Sequence, residues 1–416
     1  MSTALHRPAP AAARPAHRDP HVLRWLGAYT ASMVGDSVYY LALSWAAVQA
    51  GTPTQAGLVM TASAVPRALL MLGGGVIADR FGPRRIVIGS DAVRCAAVLA
   101  VAALLFLTSP GLWPLALLAL VFGAVDAVFV PAVGALPARV ASHDQLARVQ
   151  GMRGLAIRFA SVVGAPLGGL GVAVGGAAAA FGLAGLLIAV SVPLLVSVRM
   201  RELPADDRAG ASGGTARRDL VVGLRYIRRH RVLAPLMLAI ALGDLGFVAP
   251  LNVGLTLLAD ERGWGASGMG WVLAGFGVGA GAASLLLTVR GRLPHAGQVA
   301  GWSILAGSLA IGALAYAPTV AAAVGTALLV GLFAGLSGAM CGALLQTRAD
   351  PAYLGRVTAV ASLVSLGLTP LSMPLSAAAI GAWGTGPVFV VSAAVCGLGG
   401  VVTLGVPALR RAQLPR

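Results

Sequence analysis

Asp36, Arg67, Asp126 and Asp244 each stand inside a long apolar run of this chain. A charge at membrane depth is expensive enough to be a functional candidate wherever it occurs. Burial and a neighbouring guanidinium act in opposite senses on a carboxylate's hold on its proton, so such a group can load and release a proton near neutrality. Asp36 lies twelve residues beyond Arg24, about 18 Å along a helix and so near mid-membrane. We read Asp36 as the first candidate for a proton or cation site, with Arg67 as its partner, and Asp126 as the second. Asp244 repeats the place of Asp36 later in the chain. A structural role competes for both: each follows a glycine, Gly35 or Gly243, and could cap backbone at a helix kink. Arg153 and Arg158 open another apolar run and are expected to snorkel to the interface.

A second constellation closes the second apolar run: Gly75-Val-Ile-Ala-Asp79-Arg80-Phe-Gly82-Pro-Arg84-Arg85. Gly75 would let helices approach closely, and Gly82 would allow a sharp turn. Asp79 at a helix end can pair with arginine and face the dipole of a neighbouring helix. Such a charge cluster is strong when closed and breaks when its halves part, which makes it a latch. Asp91 and Arg94, a little further on, are placed to join it.

The frame that must hold these residues is membrane-embedded. The hydrophobic set makes up 58% of the 416 residues and charged residues only 11%, against about 25% charged in soluble domains. Apolar runs near the 20 residues needed to cross a hydrocarbon core fall at about 25–49, 55–78, 86–108, 113–137, 152–175 and 178–198. After a polar break they resume at 232–258, 268–289, 297–315, 319–342, 357–380 and 386–406. The expected architecture is therefore all-α and integral to the membrane: twelve transmembrane helices as two pseudo-symmetric six-helix bundles. The divisions are a tail, 1–21, a first bundle, 22–198, a linker, 199–231, a second bundle, 232–406, and a tail, 407–416. Within the linker, 204–215 reads as a connector by composition. Arg217 to Arg231 reads as a basic amphipathic helix on an anionic lipid surface, with Leu220, Leu224 and Ile227 on its apolar face.

All 30 basic residues are arginine, and the formal net charge is +16. Nucleic acid is not the implied partner, because the arginines lie between apolar runs and not on the face of a soluble fold. They act as topology signals. Counting loops with their flanking helix ends, 28 of the 30 fall in the tails and even-numbered loops; Arg67 and Arg262 are the exceptions. The positive-inside rule then puts both termini in the cytoplasm. Cys95, Cys341 and Cys396 are too far apart for metal spacing and read as small buried residues. The chain also repeats itself at an offset of 208: Gly35-Asp36 onto Gly243-Asp244, Leu146 to Val149 onto Leu354 to Val357, Pro166-Leu167 onto Pro374-Leu375, and Arg84 onto Arg292. Two parallel halves about a central site are transporter architecture.

The second-loop motif resembles the signature G-x-x-x-D-R-x-G-R-R of the major facilitator superfamily, with Gly75, Asp79, Arg80, Gly82, Arg84 and Arg85 in register and Pro83 added to the turn. Within it the chain resembles the bacterial secretion-effector group that includes the enterobactin exporters. That likeness rests on Gly35-Asp36, Pro66, Asp91-Ala-Val-Arg94, Pro131-Ala132 with Leu136-Pro137, and Gly355-Arg356-Val357. The resemblance implies alternating access, a cavity lined by the first, fourth and seventh spans, and a loop latch that holds the outward-open state. It also implies a Gly-Pro-rich fifth span linked to antiport, here Gly164-Ala-Pro166-Leu-Gly168-Gly169 with its proline one residue late. The arginine that many proton-coupled relatives carry in the fourth span is missing.

Tyr29, Tyr39, Tyr40 and Trp45 in the first span and Asn252 in the seventh are candidates for contact with an amphipathic substrate. The glycines at 275, 277, 279 and 281, and at 331 and 335, read as helix-packing devices. With no nucleotide loop, HExxH or GxSxG sequence, ATP-driven transport and catalysis have no support. No cofactor or metal is expected. The reading is a monomeric secondary-active transporter of a bacterial inner membrane, exchanging a drug, siderophore or secondary metabolite for protons across the bilayer. An importer of the same fold for a polar nutrient, or a membrane scaffold or receptor, is the alternative.

Overall fold

In hydrocarbon no water satisfies backbone N–H and C=O groups, so an apolar run can cross only as a helix. The computed structural model describes residues 18–108, 111–141, 145–198, 216–290, 295–350 and 353–413, and these contain helices and no strand. The first half comprises α1 (Pro20–Ala50), α2 (Pro53–Phe81), α3 (Pro83–Leu107), α4 (Trp113–Ala135), a short α5 (Pro137–Val140) and α6 (Leu146–Ser197). The linker helix is α7 (Ala216–Arg229). The second half comprises α8 (Leu233–Ala249), a π-turn (Pro250–Gly254), α9 (Leu255–Glu261), α10 (Gly265–Arg290), α11 (Ala296–Leu314), α12 (Val320–Arg348), α13 (Leu354–Trp383), α14 (Thr385–Gly405) and a short α15 (Pro407–Arg410).

The local reasons are plain. Asp19 accepts from the His21 amide at 2.8 Å beside Pro20, the first residue of α1, an N-cap followed by a pre-set φ. Thr52 and Gln55 cap α2 reciprocally, at 2.9 and 3.3 Å. Gly82, at φ 85°, separates α2 from α3 in a conformation that side chains resist.

Among the described residues eight runs are long and apolar enough to cross a membrane, and α8 with its π-turn and α9 counts as one of them, Leu233–Glu261. Another, α6, is broken at Gly175 and at Gly176, whose φ is 69°. It thus holds the expected fifth and sixth spans as two rods. To these α1, α2 and α13 add continuous rods of 31, 29 and 30 residues, with Asp36 inside α1, Pro66 and Arg67 inside α2, and Pro370 and Pro374 inside α13. The rods of spanning length come to twelve among the described residues. The offset recurs in one pair of helix starts, α6 at Leu146 and α13 at Leu354, which are 208 apart; the other corresponding starts stand 207 to 213 apart. The tail before residue 18, the linker stretch 199–215 and Arg292 lie outside the described residues.

The two halves meet along one end of the bundle. Gln49 donates to Asp260 at 2.6 Å, and Ser44 shares a short hydrogen bond with Thr256. Backbones touch there because glycines permit it. A Cβ on Gly169 would lie 2.5 Å from the Ala266 carbonyl oxygen, and one on Gly270 2.6 Å from that of Ala165. Gly57 likewise meets Ala377. Leu41 and Ala165 of the first half bury in the apolar cluster of the second. Without a hydrophobic drive between helices in lipid, close packing of this kind is what holds them together.

Candidate functional site

On α1 the polar residues Ser32, Asp36 and Tyr40 recur every fourth position and so share one face. Asp91 and Arg94 share a face of α3, and Phe122, Asp126 and Phe129 a face of α4. Ser191 comes from the last rod of α6. The four elements converge on the Arg94 guanidinium, which has no solvent exposure. Its Nη1 lies 2.8 and 3.0 Å from the two oxygens of Asp36 and 3.5 Å from Asp126 Oδ1. Its Nη2 lies 2.5 Å from Asp91 Oδ1 and donates to Ser32 Oγ at 3.3 Å. Ser191 and Ser32 donate to Asp91 at 2.5 and 3.1 Å. The guanidinium carbon sits 3.9 Å from the Phe129 ring centroid, a desolvated cation–π contact.

Asp126 connects this knot to open space. Tyr40 Oη donates to its Oδ2 at 3.1 Å, and Arg67 Nη1 stands 3.9 Å from the same oxygen. Tyr40 and Arg67, with Met60, Ser63, Ala64 and Ala68, form one wall of a cavity of about 280 Å³. Val248, Asn252 and Met373 of the second half form the other. The Asn252 side chain donates to the Val248 carbonyl at 2.7 Å, which leaves its amide oxygen for a ligand. Three carboxylates face two guanidinium groups here, so the fully ionised cluster carries one excess negative charge.

Several sequence expectations need correction. Asp36 pairs with Arg94 and not with Arg67, whose partner is Asp126. Arg94 and Asp91 do not stand with the loop arginines. Arg94 is eleven residues into α3, about 16 Å from its start, and points inward with Asp91 because an i, i+3 pair shares a face. Tyr29 and Tyr39 do not line the cavity. Tyr29 stacks on Trp25 with centroids 5.9 Å apart, beneath Arg153. Tyr39 is wholly buried, 3.6 Å from the Phe122 ring, with its hydroxyl unpartnered. Sequence reasoning passed over Ser32, Ser191 and Phe129; the four-residue rhythm from Ser32 to Tyr40 was the available signal for the first.

Of the loop motif, Arg84 donates to the Val196 carbonyl at 2.6 Å, and Arg80 lies 5.8 Å over the Phe81 ring. Gly75 and Asp79 are helical, but the surroundings of their side chains lie outside the described residues. The Gly164-to-Gly169 stretch sits where three helices cross. A Cβ on Gly168 would come 3.2 Å from Val38 Cα in α1, one on Gly164 would meet Ser37, and one on Gly270 of α10 would come 3.2 Å from Pro166 Cα. Asp244 is far from the Arg94 cluster, in the second half, where it accepts from Ser365 Oγ at 2.5 Å.

Residues 25–364 match the family model described as Major Facilitator Superfamily. The chain belongs to the major facilitator superfamily. It is therefore a multi-pass membrane transport protein for a small-molecule substrate and not an enzyme. Among superfamily proteins it is similar to the enterobactin exporter EntS of Shigella boydii serotype 18 (strain CDC 3083-94 / BS512). The two are 26% identical over 308 residues, 73% of this chain and 71% of the relative. The fold matches that of the nucleoside transporter NupG at a TM-score of 0.70 and 13% identity, covering 94% of this chain and all of the other. It also matches a D-xylose–proton symporter at 0.69 and 14%, covering 95% and 98%. Such a spread of cargoes on one superfamily fold leaves the substrate to the site.

Proposed function

We propose that this protein is a proton-coupled exporter of a small amphipathic compound, a drug, siderophore or secondary metabolite, working by alternating access. It acts as a monomer in a bacterial inner membrane with both termini in the cytoplasm. The observation that carries the reading is Asp126, which joins the cavity wall through Tyr40 and Arg67 to the buried Arg94–Asp36 pair. A substrate beside Arg67 and Tyr40 changes the company of Asp126, and one proton balances the cluster's excess charge. Loading a proton and loading a substrate therefore compete through one carboxylate, which is the requirement for exchange. Export in particular is supported by the similarity to EntS. The arginine asymmetry gives the orientation, and it makes the end bearing Gln49 and Asp260 the outer one.

In this mechanism the contacts at the outer end hold the inward-facing state, and the charged loop after α2, with Asp79, Arg80, Arg84 and Arg85, latches the outward-facing one. The Gly164–Gly169 crossing serves as the hinge of the outer closure. The test is efflux of a compound panel from cells, with the proton gradient intact and collapsed. Energised efflux of at least one compound that stops on collapse is expected. Accumulation inward, or efflux indifferent to the gradient, would overturn the coupling and direction.

A further inference from the structure

The internal repeat locates the counterpart of the Arg94 cluster in the second half. Adding 208 to Ser32, Asp36, Phe122 and Asp126 gives Ile240, Asp244, Val330 and Ala334, and all four line a single cavity of about 180 Å³. Where α3 brings Asp91 and Arg94 to the cluster, α11 brings Ser303, Ile304, Gly307 and Ile311 to this cavity, none of them basic; Trp302, 208 positions beyond Arg94, is 64% exposed. The half with the arginine fills this place with a guanidinium. The half without it keeps the carboxylate and an empty volume.

The lining defines the guest. Around Asp244 stand Ile240, Phe247, Ile304, Val330 and Ala334 with two hydroxyl residues, Ser303 and Ser337, a mostly apolar wall whose oxygens fall short of the shell a hard metal ion needs. One Asp244 oxygen takes the Ser365 hydroxyl at 2.5 Å. Phe247 offers an aromatic ring beside the carboxylate, as Phe129 does for Arg94, the arrangement that favours an organic cation. The volume is below the roughly 300–1,000 Å³ of sites for drug-sized ligands, so the guest is small. Gly243 and Gly338 also line it, and a Cβ on either would meet nothing within 4 Å.

We propose that this second-half cavity binds a small organic cation, an alkylammonium or alkylguanidinium, with its head on Asp244 and its short chain against the apolar wall. The site stands whether or not the direction and coupling proposed above hold. Cys341 and Cys396 line the same cavity and serve as reporters, with Cys95→Ser removing the third thiol. In purified protein, the cationic reagent 2-aminoethyl methanethiosulfonate should label one of the two at least about tenfold faster than the anionic sulfonatoethyl reagent, read by intact and peptide mass spectrometry. With each rate divided by that reagent's rate toward a small free thiol, Asp244→Asn should bring the ratio close to one. Butylguanidinium should slow labelling when Asp244 is present and not in Asp244→Asn, while butanol and butanoate should not slow it. Ala334→Leu, which fills the cavity, should abolish the protection by an independent route. Equal rates, a preference that survives Asp244→Asn, protection by butanol alike, or no labelling of either thiol would each overturn the proposal.

Discussion

Arg94 holds Asp36 by two contacts from one nitrogen, at 2.8 and 3.0 Å, although the residues lie 58 positions apart on α3 and α1. A buried ion pair adds little to stability compared with apolar residues, but removing one partner strands a charge in a dry interior. The pair is therefore a constraint on the other members of the cluster, Asp91 and Asp126, which share the same guanidinium.

Arg94→Met should thus destabilise the first half by about 3–5 kcal/mol, visible as a large fall in thermal stability in detergent. Arg94→Lys should recover part of the stability and little of the transport, because a point charge cannot fork across Asp36 and Asp91. Full activity in Arg94→Lys would contradict the role given to the fork.

Asp126→Asn retains shape and one acceptor for Tyr40 but removes the charge that joins cavity to cluster. Energised efflux should be lost, while substrate binding persists. Asp36→Asn should also lose the response to a proton gradient. A protein whose gradient-driven efflux survives both substitutions would exclude these carboxylates as the coupling route.

Tyr39 and Tyr40 are neighbours with opposite surroundings. Tyr39→Phe deletes a buried hydroxyl that has no partner, so stability should be unchanged or rise by about 1 kcal/mol, with transport intact. Tyr40→Phe removes the bond to Asp126 and should weaken efflux several-fold. Transport assays on the two variants side by side check the assignment.

The outer closure should be breakable and lockable. Joining Gln49→Cys to Asp260→Cys with a short bifunctional thiol reagent should stop transport, and cleaving the cross-link should restore it. Transport that continues in the cross-linked protein would mean that the halves do not part at this end.

At the junction of α7 and α8, His230 Nδ1 accepts from the amides of Val232 and Leu233, each at 3.2 Å. Burial, and then the nearby Arg348, pull its pKa below the ordinary 6.5. The neutral ring makes the cap. The unfolded chain therefore takes up the proton first, so the stabilisation is full above about pH 6.5 and fades as the pH falls toward the folded value. Amide hydrogen exchange at Val232 and Leu233 should accelerate on acidification below that pH, beyond the intrinsic trend. His230→Ala should exchange fast at both.

Periodicity and length alone carry the helices, because hydrocarbon admits no other local solution. The offset of 208, the arginine asymmetry and the signature from Gly75 to Arg85 likewise need nothing beyond the order of residues. The carboxylates Asp36, Asp126 and Asp244 were recognisable as costly charges wherever they lay. Their partners were not. Whether Asp36 meets Arg67 or Arg94 depends on how α1, α3 and α4 are rotated about their axes, and that rotation is set by close packing such as Gly35 against Ile188 and Gly123 against Ser63. Nor could the order of residues say that Tyr40 reaches the cavity while Tyr39 stacks on Phe122, since adjacent positions on a helix point about 100° apart. The sequence settled which residues must sit in the membrane, by the price of exposing them to water or lipid; packing between helices distant along the chain settled which of them touch.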